Sequence, residues 1–308
     1  MTTFARGEFR RFIGIDLGGG RGKNTAVARL ELTRAADGSL RLGVSDAKIR
    51  YGQRGTGQRT DEPGGDAHFR DDVLVEYLER WVDDATVVGI DAPLTLPPCI
   101  RCTLPCPTVS RCEVPVVKWM RKWGPRLLPG RARSGKPSIT PYTQRATEIL
   151  SQGTGVAPRE TLGQGTGPLA ARATYLRRHL SPRLRLHENL LEVHPRATLT
   201  RLFGAEVERR VRTGDTEAVW DARKDVLSRM PGRADPRSAV AFDYVWPELV
   251  VRNTHVFAAV VCAFTTFLWA TAPQRSEAAE LPAVAATARA ELGHLWLEDG
   301  WVWAPTPA

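Results

Sequence analysis

The first strong pattern in the chain is a short apolar run, Phe12, Ile13 and Ile15, that ends on Asp16 and is followed by Gly18, Gly19 and Gly20. These β-prone residues predict a buried strand. From Thr25 to Leu32 apolar and polar positions alternate in part, which predicts a second strand antiparallel to the first. Asp37-Gly38 marks a turn, and Leu40 to Ile49 reads as a third strand. Gly52 to Gly65 is rich in Gly, Pro and Thr and reads as a loop. Between Arg70 and Val82, Val73, Leu74, Tyr77, Leu78 and Trp81 recur at helical spacing, with Asp71 and Asp72 suited to the first turn. The fourth strand, Thr86 to Asp91, repeats the ending of the first: Val87 to Ile90 is apolar and closes on Gly-Ile-Asp. The predicted order is β-β-β-α-β. Aspartates end the first and fourth strands.

Pro97 to about Thr140 reads as an insertion, rich in proline and holding four of the five cysteines. Pro141 to Ser151 reads as a short helix with Thr140 as its N-cap. Gly153 to Gly167 is another Gly/Thr stretch, without the spacing of a phosphate loop. Ala170 to Leu180 is helical, and Asn189 to Val193 is the fifth strand candidate, carrying Glu192 and followed by His194-Pro195. An amphipathic helix is expected over Thr198 to Val211, interrupted at Gly204, and another over Asp215 to Met230. Ser238 to Trp246 and Leu249 to Ala272 supply a helix that is apolar nearly all round and so belongs inside. Gly293 to Ala304 reads as a closing hairpin around Asp299-Gly300. No internal repeat is visible. The expected fold class is α/β, one domain over residues 1–308, with a mixed sheet flanked by helices and a Cys-rich, basic insertion over 97–140.

Candidate chemistry lies where charge interrupts these apolar runs. If the first and fourth strands are parallel neighbours, Asp16 and Asp91 sit side by side at the carboxyl edge, where open α/β sheets bind ligands. Asp16 has a plainer reading too, as a cap on backbone N–H groups of the turn. Glu192 lies in the fifth strand. Three ionised carboxylates converging there would repel by roughly 3–4 kcal/mol per close pair at an effective dielectric near 20. Retained protons or divalent cations would relieve this, and oxygen donors favour Mg2+ or Mn2+. Two such ions would activate a water and stabilise the leaving oxygen of a phosphodiester. The plainer alternatives are that Glu192 forms a strand salt bridge, Arg145 and Glu148 pair on a helix surface, His194 is a turn residue, and His255 caps a helix or hydrogen-bonds in the core.

The β-β-β-α-β order, with a later acidic strand residue, resembles the ribonuclease H-like fold. More narrowly, the chain resembles the family of predicted ribonuclease H-like nucleases known as domain of unknown function 429. The matching pieces are Ile13-Gly-Ile-Asp16, Gly89-Ile-Asp-Ala-Pro-Leu94, Arg145-Ala-Thr-Glu148, Leu191-Glu-Val-His-Pro195, the late apolar helix, and Gly300-Trp-Val-Trp-Ala-Pro305. The resemblance implies a metal-dependent nuclease or phosphodiesterase in which Asp16, Asp91 and Glu192 hold Mg2+ or Mn2+. Members of that family tend to carry an aspartate early in the last long helix. This chain reads Asn253-Thr-His255 there, so His255, Asn253 or Glu148, beside Arg145, is the substitute the resemblance implies. Two rivals are a binding or scaffold protein of the same fold that has lost the chemistry, and an actin-like sugar kinase, suggested by Ile15-Asp-Leu-Gly-Gly-Gly20.

Composition adds partners and location. A hydrophobic content of 42% and a charged content of 25% in 308 residues are ordinary for a soluble globular protein and exclude a disordered or fibrous chain. The net charge of +9 favours nucleic acid, DNA or RNA. Within the insertion, Lys118, Arg121, Lys122, Arg126, Arg131, Arg133 and Lys136 interleave with Trp119 and Trp123, a pattern able to grip a phosphate backbone and stack bases; a solvated basic loop is the alternative. Cys99, Cys102, Cys106 and Cys112 are spaced C-x2-C-x3-C-x5-C, and their thiolates suit zinc or an iron–sulfur cluster, or are ordinary reduced thiols. Cys262 falls in the buried helix. No secretory signal is visible, and the apolar run from His255 to Ala272 falls short of the roughly 20 residues a membrane span needs. A cytoplasmic protein without a membrane partner is therefore expected.

Overall fold

Seven strands form one mixed sheet: β1 (Arg11–Asp16), β2 (Ala26–Arg34), β3 (Leu40–Ile49), β4 (Thr86–Ile90), β5 (Leu190–Val193), β6 (Val240–Phe242) and β7 (Val302–Trp303). The computed structural model describes residues 9–19, 24–49, 71–130, 137–152, 154, 158–234, 240–243, 246–271 and 281–306. Across the sheet the order is β6-β3-β2-β1-β4-β5-β7. β1, β2 and β3 form the expected antiparallel meander, and β4 joins β1 in parallel with Ile15 opposite Ile90. The helix α1 (Asp71–Trp81) makes the crossover from β3 to β4. The loop expected over Gly52 to Gly65 lies outside the described residues, as do Gly20, Arg131, Arg133 and Lys136.

Strand alternation divides the core in two. On one face Phe12, Val87, Leu191 and Val193 meet the apolar helix α10 (Thr254–Thr271). On the other, Ile13, Ile15, Val88 and Ile90 meet α1 and α5 (Gly167–Leu180). The helix α10 is long and apolar enough to cross a membrane, but 78% of it is buried inside the protein. Its close seat on the sheet explains the glycines of the repeated Gly-Ile-Asp ending. A Cβ on Gly14 would stand 2.0 Å from the Ala259 carbonyl oxygen, and one on Gly89 would stand 2.5 Å from Thr266 Cγ2. These two glycines admit a helix.

Three expectations change. The closing hairpin is replaced by a short helix, α12 (Leu295–Asp299), followed by β7, which pairs in parallel with β5. Trp301 and Trp303 bury themselves in the core, and β7 takes the open edge of β5 with Val302 opposite Glu192 and Trp303 opposite Val193. The helix expected over Pro141 to Ser151 contracts to α4 (Ala146–Leu150), because the Gln144 amide oxygen accepts from both the N–H and the hydroxyl of Thr140 and holds the intervening residues in a turn. The long apolar helix is broken at Asn253 into α9 (Glu248–Arg252) and α10. The Asn253 amide oxygen accepts from the N–H groups of His255 and Val256 and starts the second helix afresh.

The insertion is woven into the core. It contributes α2 (Pro98–Arg101) and α3 (Pro115–Leu127). Along α3, Val116, Trp119, Met120 and Trp123 make an i, i+3, i+4, i+7 stripe that is buried. Trp119 donates its indole N–H to the Ala288 carbonyl at 2.6 Å, on α11 (Ala283–Leu292). The two tryptophans expected to stack on bases are therefore packing residues. Among the basic residues beside them, Lys118 pairs with Glu113 and Lys122 with Glu291, while Arg121 donates to the carbonyls of Val109 and Cys112.

Candidate functional site

Asp16 ends β1 and Asp91 follows β4, and the Asp91 N–H donates to the Ile15 carbonyl at 2.9 Å. Asp16 lies two residues after Gly14 and Asp91 two after Gly89, so alternation turns both carboxylates toward the α10 face. Because α10 runs antiparallel to β1, the helix turn one step beyond Ala259 lies over Asp16: four helical residues and two strand residues both advance about 6 Å. That turn carries His255, whose Nδ1 stands 2.6 Å from Asp16 Oδ2. On the other side His194, between β5 and α6 (Pro195–Phe203), brings its Nδ1 to 3.2 Å from Asp91 Oδ1. Each aspartate is thus held by one histidine through one oxygen. Asp16 Oδ1 and Asp91 Oδ2 have no hydrogen-bond partner among the described residues.

These four side chains line a cavity of about 660 Å3 whose walls include Arg159, Arg196 and Arg212. Burial pushes the Asp16 carboxyl up to about 6, and the neighbouring Asp91 charge adds to this against the opposing His255 contact. Asp16 and Asp91 share this pocket with the two histidines, and with Glu192 and Glu208 farther along its walls; among the described residues no lysine or arginine is bonded to either aspartate.

Glu192 takes a different place. In the β4–β5 register it lies opposite Ile90, a residue of the other face, yet at the strand end it and Arg145 line the same cavity as Asp16 and Asp91. There Arg145, fully buried, donates Nη1 to Glu192 Oε2 at 2.7 Å and Nη2 to Oε1 at 2.6 Å. The Leu94 N–H adds a third bond to Oε2 at 2.9 Å. The same guanidinium reaches Glu148 Oε1 through Nε at 2.8 Å and the Thr95 hydroxyl at 2.8 Å. Glu148 also accepts from Thr161 and from the Arg145 backbone N–H. Asp299, also fully buried, accepts from Arg101 and from the Ala146 N–H. Burial alone would lower the Arg145 pKa, but the charges of Glu192 and Glu148 hold it above its ordinary value. Burial pushes Glu148 and Asp299 up. Gly300, at φ +108°, lets the chain close over this cluster; a Cβ there would stand 2.1 Å from the Thr95 hydroxyl.

One sequence comparison bears on the pattern. The model of a family described as "Protein of unknown function (DUF429)" matches residues 14–286. The chain belongs to the DUF429 family. The matched region begins at Gly14 and takes in both Gly-Ile-Asp endings, Arg145 with Glu148, β5 with His194, and α10. Asp299 and Gly300 lie beyond it. No curated protein and no solved structure matches the chain.

In this DUF429 chain the structure brings Asp16, Asp91 and His255 together and sets Glu192, Glu148 and Arg145 into the buried cluster beside them. Sequence reasoning left His194 as a turn residue; the available signal was its place directly after β5 and before a proline that starts a helix. Arg101 and Thr95 carried no signal, and Asp299 stood out only as half of a turn with Gly300. The four cysteines of the insertion are free thiols: Cys99 and Cys102 are half-buried, Cys106 is exposed and Cys112 is buried. Burial, then the neighbouring thiols, push the Cys99 pKa up. Among the described residues no group of three or more His, Cys, Asp or Glu side chains is arranged to hold a metal ion.

Proposed function

We propose that the cleft hydrolyses a phosphate ester, as a metal-dependent phosphodiesterase or nuclease of ribonuclease H-like type. The observation that carries this is the pairing of Asp16 and Asp91 on adjacent parallel strands, same face and same edge, at the bottom of the cleft with one open oxygen each. The β3-β2-β1-β4-β5 order within the sheet and the match to the DUF429 family support the fold half of the reading. The donor set fits Mg2+ or Mn2+, because such ions are commonly held by one or two carboxylates and complete their shell with water and substrate oxygens. Asp16 and Asp91 are the residues that would hold the ion. When bound, a divalent ion polarises the phosphoryl group and lowers the pKa of a water.

The protein's own residues supply the rest. His255 fixes the Asp16 carboxylate by its Nδ1 contact. Asp91, accepting from His194 Nδ1–H, orients that ring and leaves Nε2 as a proton acceptor toward the cleft. Glu192, with both oxygens engaged, holds Arg145 and through it the floor between β4 and α4. Zinc or iron–sulfur binding by Cys99, Cys102, Cys106 and Cys112 remains a separate proposal; it requires the segment to draw its thiols together on binding.

The second reading is a nucleic-acid-binding protein without hydrolysis. It is favoured by His255, a neutral-capable residue standing where the resembling family tends to carry an acid. The sugar-kinase reading rests on Gly18, Gly19 and Gly20, of which Gly18 already donates its N–H to the Thr25 hydroxyl at 2.9 Å. The test is hydrolysis of labelled DNA, RNA and hybrid substrates with Mn2+, Mg2+ or EDTA, beside Asp91→Asn. Metal-dependent cleavage that falls at least about a hundredfold in the variant is expected if Asp91 is a ligand. Cleavage that survives in EDTA or in Asp91→Asn rules the site out.

A further inference from the structure

The wall of the cleft formed by α6 and α7 (Ala205–Arg210) carries a feature the hydrolytic reading does not use. Glu208, with its side chain only 8% exposed, binds two arginines at once. Arg196 Nε is 2.9 Å from Glu208 Oε1, Arg212 Nε is 2.6 Å from the same oxygen, and Arg212 Nη2 is 3.2 Å from Oε2. Glu208 stays ionised: burial pushes its carboxyl up, but hydrogen bonds from Arg212 and Arg196 outweigh this and hold it below its ordinary value. It takes the Nε edges of the two guanidiniums. Both Nη groups of Arg196 and Nη1 of Arg212 make no hydrogen bond to the described residues. Both side chains line the cavity, and the exposed Arg159 lines it as well.

Resting on the phosphate-ester reading of this cleft, we propose that Arg196 and Arg212, fixed by Glu208, form a clamp for a terminal phosphate on a nucleotide-sized substrate. Three properties lead there. The cavity volume of about 660 Å3 falls within the roughly 300–1,000 Å3 of pockets that enclose one small ligand. Sites that follow a polynucleotide track several nucleotides along an open groove lined by stacking aromatics, and the tryptophans of α3 are buried. Two guanidiniums held on one carboxylate are pre-oriented donors, so little side-chain entropy is lost when they meet a phosphate. A terminal phosphate offers three free oxygens and close to two charges at neutral pH, against two oxygens and one charge for an internal diester. The same chemistry comes from a free nucleoside monophosphate or from the phosphorylated end of a strand.

Titration calorimetry on the full chain in EDTA separates these sources and keeps binding apart from hydrolysis. The probes are adenosine 5′-monophosphate, adenosine, a short single-stranded oligonucleotide with a 5′-phosphate, and the same oligonucleotide with a 5′-hydroxyl. The expected result is binding of the phosphate-bearing member of each pair at least about tenfold tighter than its partner, and a loss of about tenfold in Arg212→Ala, as for a charge-assisted hydrogen bond. Arg212→Lys, which keeps charge and folding but loses the fork, is expected to retain only part of the affinity. If the monophosphate binds and the phosphorylated strand does not, the clamp takes a free nucleotide as its ligand; the reverse assigns a strand end. Equal affinity for phosphate and hydroxyl forms, or unchanged affinity in Arg212→Ala, overturns the clamp. Phosphate-selective binding without metal-dependent cleavage would retain the clamp and overturn the hydrolytic reading, so the two failures are distinguishable.

Discussion

The carboxyl edge of the β1–β4–β5 sheet holds two groups of acids that the fold treats in opposite ways. On the α10 side Asp16 and Asp91 lie together, each bonded by one histidine and each with an open oxygen. Beside them Glu192, Glu148 and Asp299 surround Arg145, with every carboxylate held by cations, hydroxyls or backbone N–H groups. The buried cluster is satisfied and the cleft is not. A satisfied buried network fixes geometry, whereas an under-compensated pair of like charges raises its own free energy until a ligand or a proton arrives. Structural support and chemistry are thereby divided between two neighbouring groups on one cavity, with Arg145 committed to Glu192 and Glu148 and one histidine to each of Asp16 and Asp91.

The sharpest way to break this comparison is to remove the central cation. Arg145→Met keeps much of the volume but leaves Glu148 and Glu192 buried without the cation between them, and should destabilise by about 3–5 kcal/mol in denaturant unfolding at pH 7. Part of that loss should return at low pH, where both glutamates take up protons. A cost below about 1 kcal/mol would mean that the cluster is not supporting the fold.

Asp16 should behave in the opposite sense. The folded protein holds its proton more tightly than the unfolded chain, with a pKa of about 6 against 3.8. Its ionisation therefore costs stability that is fully retained below about pH 4 and fully lost above about pH 6, on the order of 3 kcal/mol. Asp16→Asn should gain on the wild type across that window in metal-free buffer and then hold a constant advantage. A flat difference between the two stability–pH curves would show that the cleft carries no such charge penalty.

Gly14→Ala tests how the histidine is delivered. A methyl group there would meet the Ala259 carbonyl at 2.0 Å, so α10 must lift, at a cost of about 2 kcal/mol. The His255 imidazole resonances should shift in the NMR spectrum while those of Trp81 on α1, packed against the other face of the sheet, stay in place. Smallest is the effect of the cation itself. At ten times its dissociation constant, Mn2+ should stabilise the wild type by about 1.4 kcal/mol by mass action. Asp91→Asn should lose that gain, and an undiminished gain would place the ion elsewhere.

Much of the architecture was legible before the structure. The meander, the crossover helix and the two Gly-Ile-Asp endings follow from local periodicity, and β3 runs over Leu40–Ile49 as its alternation predicts. The closing segment was not legible as helix and strand, since Leu295 to Trp303 gains its pairing from β5, more than 100 residues away in sequence. The tryptophans of α3 misled for a similar reason: a stripe of aromatics among basic residues reads alike whether it faces a ligand or a core. Of the site, Asp16 and Asp91 stood out because a charge ending a buried run demands an explanation. His194 and Arg212 did not, because histidine before proline and arginine in an amphipathic helix are common on surfaces.

By itself the sequence determined which runs would be strands, which helix would be buried, and that two aspartates would meet at one sheet edge, because these depend on spacing of two and of 3.6 residues within short windows. Tertiary structure alone decided which acids an arginine claims. The register between β4 and β5 set Glu192 opposite Ile90, and Arg145, distant in sequence, claims both of its oxygens. It also decided that Gly14 and Gly89 would carry a helix, because the packed α10 fills the space where their side chains would stand.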